Sequence, residues 1–236
     1  MPTSEQNRRG APLVPGLLAA LRSKASAENV VGQRRFGIQP RGEHLGLSMG
    51  ELRPFTRKHR RDHALALALW DTGVHEARIL AAHIADPALL TRAEMERWAL
   101  DFDSWAVVDN ACIHLFRKSP HAFACAKAWI RRPGEYVRRA GFSMIATLAV
   151  HANDAPDSVF LGFLPAIRRA SSDDRNFVRN AVNWALRQIG KRNPRLRTAA
   201  LAEARRILNL DTRSARWIAR DAIRELKAVR ARGGSC

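Results

Sequence analysis

From about residue 48 onward, apolar residues recur three and four positions apart, in stretches separated by short polar breaks. Phe177, Ala181, Trp184, Ala185 and Gln188 fall on one stripe, and Ala106, Cys112, Ile113 and Phe116 on another. A period of 3.6 residues puts such positions on one face of an α-helix, while strand alternation with Gly/Asn turns is nearly absent. The polar breaks carry helix starts. Ser48-x-x-Glu51 and Thr91-x-x-Glu94 read as capping boxes, in which hydroxyl and carboxylate satisfy the free amides of a first turn. Ser119-Pro120 places a cap before a proline at the first helical position, Asp173 and Asp211 read as caps, and Pro156 and Pro194 open helices.

The predicted helices group in pairs: 50–69 with 74–85, 91–101 with 104–117, 120–131 with 135–151, 157–170 with 174–190, and 195–208 with 212–229. The step from pair to pair is about 35 to 40 residues, the period of HEAT-like α-solenoids, in which each hairpin buries its face only against its neighbours. Identity between the pairs is low, so this all-α architecture rests on helix rhythm, with a plain helical bundle as the competing arrangement. Residues 11–230 are expected to form a single repeat domain, with tails at 1–10 and 231–236 and a loop from Gln39 to Gly46.

Composition adds a partner. Hydrophobic residues make up 46% of the 236, enough for a core without metal or disulfide support. Lys and Arg number 40 against 22 Asp and Glu, for a net charge of +18, and only six of the 40 are Lys. Arg offers a planar fork of donors that matches phosphate, so nucleic acid is the expected partner. A genome rich in Arg codons is the bland account of part of that excess. No basic amphipathic helix stands apart as a membrane-surface element, and no apolar run reaches the roughly 18 residues of a membrane span. Arg8 to Ala27 faintly mimics a signal peptide, but Pro15, Arg22 and Lys24 interrupt it, so a first amphipathic helix is expected there. Cys112, Cys125 and Cys236 show no Cys-x-x-Cys spacing, which points to a reducing cytoplasm, with association to the nucleoid when DNA is bound. No cofactor is called for, and a monomer is expected.

Candidate chemistry gathers at two places. Trp105 and Asp109 are i, i+4 neighbours, and Trp184 and Arg187 are i, i+3 neighbours, so each pair shares a helix face. A lone Trp at helical spacing is most often core, which is the reading for Trp70, Trp98, Trp129 and Trp217 and the competing one for Trp105 and Trp184. Asp109 could equally be a surface acid or an ion-pair partner. Asp103 and Ser104 read as N-caps, and Asp173, Asp174 and Arg175 as helix-start charges. The eight histidines include no His-Glu-x-x-His. His59 and His63 are i, i+4, but only Asp62 sits near them as a carboxylate, so no metal site is expected. No Gly-rich phosphate loop and no Ser/His/Asp set stands out.

Several of these residues belong to a longer pattern. In order along the chain come Phe36-Gly-Ile38, Leu-Gly-Leu-Ser-Met-Gly-Glu-Leu-Arg53, Ala-Leu-Trp70, His-Glu-Ala-Arg-Ile-Leu80, Asp-Ser-Trp105 with Asp109, Val-Arg-Arg-Ala-Gly141, Asp-Arg-Asn-Phe-Val178 and Asn-Trp-Ala-Leu-Arg-Gln-Ile-Gly-Lys191. From about Phe36 to Ala228 the chain resembles the DNA alkylation repair, or AlkD-like, DNA glycosylases built from HEAT-like repeats. The resemblance implies a right-handed, curved solenoid that holds duplex DNA in a basic concave groove. It implies hydrolysis of the N-glycosidic bond of cationic alkylated purines such as 3-methyladenine and 7-methylguanine. The family's groove tryptophans fall on Trp105 and Trp184, its catalytic carboxylate on Asp109, and its phosphate-gripping arginines on Arg139, with Arg138 one residue away, and Arg187. Lys191 and Arg192 extend that basic set. Ala106 departs from the acidic residue that many members carry after the tryptophan, and the aromatic of the family's first helix has no clear counterpart before Phe36.

Two other classes compete. A non-catalytic HEAT protein that recognises distorted or branched DNA would keep the arginine surface and need neither Asp109 nor the tryptophans. A protein-interaction solenoid would scatter the charge over its outside.

Overall fold

The Ser48 and Thr91 hydroxyls accept the amides of Glu51 and Glu94, and those two carboxylates reach back to the cap amides, so both predicted capping boxes are formed. Each such cap contributes about 1 kcal/mol to its helix. The structure is a computed structural model that describes residues 11–232, and among the described residues every regular element is helical. They fall into two compact units, divided between His121 and Ala122. Of the expected tails, 1–10 and 233–236 lie outside the described residues, while Ala231 and Arg232 complete the last helix.

Unit 1 contains α1 (Val14–Arg22), α2 (Ala27–Arg35), α3 (Met49–Lys58), α4 (His63–Asp71), α5 (His75–Ile84), α6 (Arg92–Asp101) and α7 (Trp105–Asn110). A π-helical stretch, Ala111–Leu115, and a 3-10 turn, Phe116–Lys118, follow α7 without a break. The helix predicted over 50–69 is in fact two. Arg61 takes a left-handed φ of 62°, and the Asp62 carboxylate accepts the Leu65 amide to start α4 afresh. The core is aromatic: Trp70 and Trp98, both fully buried, stack at 3.9 Å, with Phe102 and Phe116 around them. The Trp70 indole N–H donates to Asp101 at 2.8 Å, which satisfies the one polar group this ring buries. Glu76, also fully buried, accepts the amides of Leu45, Gly46 and Leu47 at 2.7–3.2 Å. Hydrogen bonds to a charged group are worth about 1.5–3 kcal/mol each, so this carboxylate pins the loop before α3 onto α5. Gly46, at φ 79°, supplies the left-handed backbone that presents the three amides together.

Unit 2 contains α8 (Ala122–Trp129), α9 (Glu135–His151), α10 (Asp157–Leu161), α11 (Leu164–Ala170), α12 (Asn176–Arg192), α13 (Pro194–Leu208) and α14 (Arg213–Arg232). α9 lies along α12, and α12, α13 and α14 pack against one another. Gly190 makes that triple packing possible: a Cβ there would stand 2.6 Å from Leu226 Cδ1 and 3.0 Å from the Ala200 Cβ. Several predicted starts shift. Ser119-Pro120 does not open α8; the Ser119 hydroxyl accepts the His121 amide in a turn, and the helix begins at Ala122. The helix predicted over 157–170 breaks after Leu161, where Pro165 in the first turn of α11 cannot continue a helix from behind. Asp173 stands two residues before the N-cap of α12, Arg175: its carboxylate accepts the Arg175 amide at 3.2 Å and is shared with the Arg138 and Arg175 guanidiniums. Asp211 yields the cap to Thr212, whose hydroxyl accepts the Ala215 amide.

Candidate nucleic-acid interface

In unit 1 the buried Ser104 hydroxyl accepts the Ala106 amide at 3.3 Å and starts α7. Asp103, expected as a second cap, instead accepts the Arg41 amide at 3.1 Å and pairs with Arg78 at 3.3 Å. Trp105 is therefore the first residue of a well-anchored helix. Its indole N–H donates to the Phe36 carbonyl at 3.0 Å, and the ring is half-buried. Phe36, at the C-terminal end of α2, is 75% exposed. The Trp105 indole thus holds the Phe36 backbone, and the exposure of the Phe36 side chain is what the apolar pattern could not reveal.

Asp109 stands one turn beyond Trp105 and is half-buried, so a carboxylate and an aromatic ring share one partly open face of α7. Ala106, between them, is buried and provides no second carboxylate. The helix then widens into its π-helical stretch, a geometry that recurs where function demands a displaced side chain. Asn110 links this stretch to α5: its amide donates to the Ala106 carbonyl at 2.9 Å, and its Oδ1 lies 2.8 Å from His83 Nε2. The His83 and His114 rings stack at 3.9 Å. Burial, reinforced by His83 and Lys118, lowers the pKa of His114 to about 4, so it is neutral at pH 7.

Unit 2 arranges its charges in a ladder between α12 and α14. Arg179 lies over the Trp217 ring, Asn183 donates to Asp221 at 2.7 Å, Arg187 reaches Asp221 at 3.7 Å and also Glu225, and Lys191 pairs with Glu225. Trp184 is half-buried on the same helix as Arg187 and Lys191. Burial opposes ionisation of Glu225, but Lys191 and Arg187 outweigh it and hold its pKa below the usual carboxylate value. The two acids are the partners that the sequence pattern missed. Their signal was present, since Asp221 and Glu225 are i, i+4 on one helix face, as are Arg187 and Lys191 on another.

The remaining basic residues sit elsewhere in the unit. Arg138 donates to Asp173 at 3.0 Å and to the Arg132 carbonyl at 3.1 Å. Arg139 is 6% exposed, and its Nη1 donates to the Phe177 carbonyl at 2.8 Å. Arg192 bonds the carbonyls of Ala149, Ala152, Asn153 and Ala155 at 2.7–3.0 Å and covers the Phe160 ring. Those contacts close the end of α9, and the guanidinium is committed to the backbone. Trp217, expected in the core, is 40% exposed: Ala215, Ile218, Ala219 and Ala222 form the buried stripe of α14, and residue 217 falls beside it. Among the described residues no three His, Cys, Asp or Glu side chains converge as metal ligands, and no helix is long and apolar enough to cross a membrane.

A profile described as DNA alkylation repair enzyme matches residues 17–226. The chain belongs to the DNA alkylation repair enzyme family. Its fold agrees with that assignment. A solved structure described as "a new family of proteins related to the HEAT-like repeat DNA glycosylases with affinity for branched DNA structures" superposes with a TM-score of 0.78 at 18% identity, covering 93% of this chain and 94% of that one. The fold of this family member is therefore the HEAT-like helical repeat fold. An engineered protein (TM-score 0.38, 14% identity, 97% of this chain and 95% of that one) is too distant in shape to add to this. So is a designed armadillo repeat protein in complex with a (KR)4 peptide (TM-score 0.34, 14% identity, 77% and 82%). No curated protein matches the chain.

Proposed function

We propose that this DNA alkylation repair family member is a DNA glycosylase that hydrolyses the N-glycosidic bond of cationic alkylated purines in duplex DNA. The observation that carries the reading is the pairing of Trp105 with Asp109 on one partly open helix face in a chain of this family. A purine methylated on a ring nitrogen leaves as a neutral base, so its departure needs little acid. Positive charge builds instead on the deoxyribose, as in glycoside hydrolysis. A carboxylate beside that sugar stabilises the oxocarbenium-like transition state and orients the attacking water. An indole face attracts the cationic lesion by about 0.5–2 kcal/mol, depending on desolvation. Asp109 takes the first role and Trp105 the second. In unit 2, Arg187 and Lys191 grip phosphates and Trp184 packs on the sugar edge of a nucleotide bound to that unit. Arg138 and Arg139 on α9 add to the charge there, while Arg192 serves the fold.

A second reading rests on the solved structure of similar fold, whose proteins are described as having affinity for branched DNA. On that reading the cations bind and Asp109 does no chemistry. Release of 7-methylguanine and 3-methyladenine from alkylated duplex, with and without chelator, separates the two. The glycosylase reading expects release that chelator does not change. No release under any condition leaves the binding reading, and release that requires a divalent ion contradicts the mechanism given for Asp109.

A further inference from the structure

Trp217 stays in solvent although the helix around it is tightly packed. Arg213, Arg216, Arg220 and Arg224 are exposed on the same helix, and with Trp217 and Asp221 they line an open depression of about 430 Å³. At 1.5 Å per residue, the span from Arg213 to Arg224 is about 16 Å. From α12, the Arg179 guanidinium lies 4.8 Å from the Trp217 ring centroid, and its Nη2 donates to Asn176 at 2.8 Å. The indole is thus fixed from one side by a cation that is itself tied down. Counter-charge is scarce. Arg216 pairs with Asp211 at 2.8 Å, and Arg224 pairs with Asp221. Among the described residues Arg213 and Arg220 have no carboxylate partner. Five guanidiniums and two carboxylates therefore surround one exposed ring.

We infer that α14 binds an unpaired segment of DNA, with one base stacked on Trp217 and the neighbouring phosphates on Arg213, Arg216 and Arg220. A fixed aromatic platform bordered by cations accepts any base, because every base has a π-face and every nucleotide brings a phosphate. A base inside an intact duplex has both faces covered by its neighbours, so duplex DNA could use the arginines and leave the ring idle. An acidic peptide would match the charge and equally ignore the ring. The inference goes beyond the glycosylase reading and does not depend on excision, since it concerns the strand and not the lesion.

The test uses the full-length protein and fluorescence anisotropy with labelled oligo(dT), set against a blunt duplex of the same length. Trp217→Ala is expected to weaken oligo(dT) binding about tenfold, while Trp217→Phe keeps most of it. The blunt duplex should change by less than about twofold, because its affinity comes from phosphate contacts. Arg220→Glu should weaken oligo(dT) binding as well. If Trp217→Ala fails to fold, the exposed Arg220→Glu decides: loss of oligo(dT) binding supports the site and no loss overturns it. An unchanged oligo(dT) affinity in a folded Trp217→Ala protein overturns the inference. So does an equal loss for oligo(dT) and duplex, or competition by polyglutamate as effective as that of oligo(dT).

Discussion

The helix that carries Trp105 and Asp109 starts on a buried serine cap and turns π-helical after six residues. The helix that carries Trp184 and Arg187 runs regularly for 17. The first has histidines around it that burial keeps neutral, including His83 and His114. The second faces a partner helix whose acids hold its cations, Glu225 on Arg187 and Lys191 and Asp221 on Arg187, with the Asn183 amide also donating to Asp221. An irregular helix can set one carboxylate at one position. A long regular helix repeats a contact every turn, as a polymer of phosphates requires. The glycosylase proposal accordingly assigns the chemistry to unit 1 and the grip to unit 2.

The largest expected effect lies in unit 1. Asp109→Asn keeps the side chain's size and removes its charge, so single-turnover excision should fall by about 10² or more, the scale for losing one preorganised electrostatic group. Excision at the wild-type rate in a folded variant would make Asp109 an ordinary helix acid.

A second effect separates the units by pH. Burial, with help from His44 and Arg78, lowers the pKa of His75 to about 3 from 6.5, and His114 is held at about 4. The unfolded chain takes up protons below about pH 6.5 that these folded sites refuse, so their contribution to stability is complete above that pH and is lost as pH falls. At pH 5 the His75 contribution alone is reduced by about 2 kcal/mol. In unit 2, burial opposes ionisation of Asp173 but Arg175 and Arg138 hold its pKa at about 2, so its ion pairs survive well below pH 5. Hydrogen exchange at pH 7 and pH 5, corrected for intrinsic rates, should show α5 losing more protection than α12. Equal losses would mean that the buried histidines do not set the acid stability of unit 1.

The smallest expected effect concerns Glu225. Arg187 and Lys191 must leave it to reach phosphate, and a partly exposed ion pair of this kind is worth up to about 1 kcal/mol. Glu225→Gln should therefore tighten duplex binding severalfold at fixed salt. Weaker binding would show that Glu225 aims the two cations instead of restraining them.

Much of the fold was legible in the sequence because helices announce themselves locally. The helix predicted over 135–151 has those bounds, and both capping boxes are formed. What stayed hidden was long-range. Nothing near Asp173 in sequence shows that Arg138, 35 residues earlier, will share its carboxylate with Arg175. The break at Arg61 lies between two apolar stretches that share a helical period, and only Asp62, a usable cap, marked it. At the candidate site, the i, i+4 and i, i+3 spacings gave the shared faces of Trp105 with Asp109 and of Trp184 with Arg187. The exposure of Phe36 and Trp217 depends on what packs around them, which spacing alone does not fix.

The division of labour is tested most directly by measuring Kd and the single-turnover excision rate at saturating protein on one alkylated duplex, for wild type, Asp109→Asn and Arg187→Ala. Asp109→Asn should lose the rate and keep the affinity. Arg187→Ala should keep most of the saturating rate, bind damaged and undamaged duplexes more weakly by similar factors, and flatten the dependence of log K on log salt by about 0.9, one phosphate contact. If Arg187→Ala instead lost the saturating rate at unchanged affinity and salt slope, or Asp109→Asn lost affinity and kept the rate, the assignment of chemistry to unit 1 and grip to unit 2 would be contradicted.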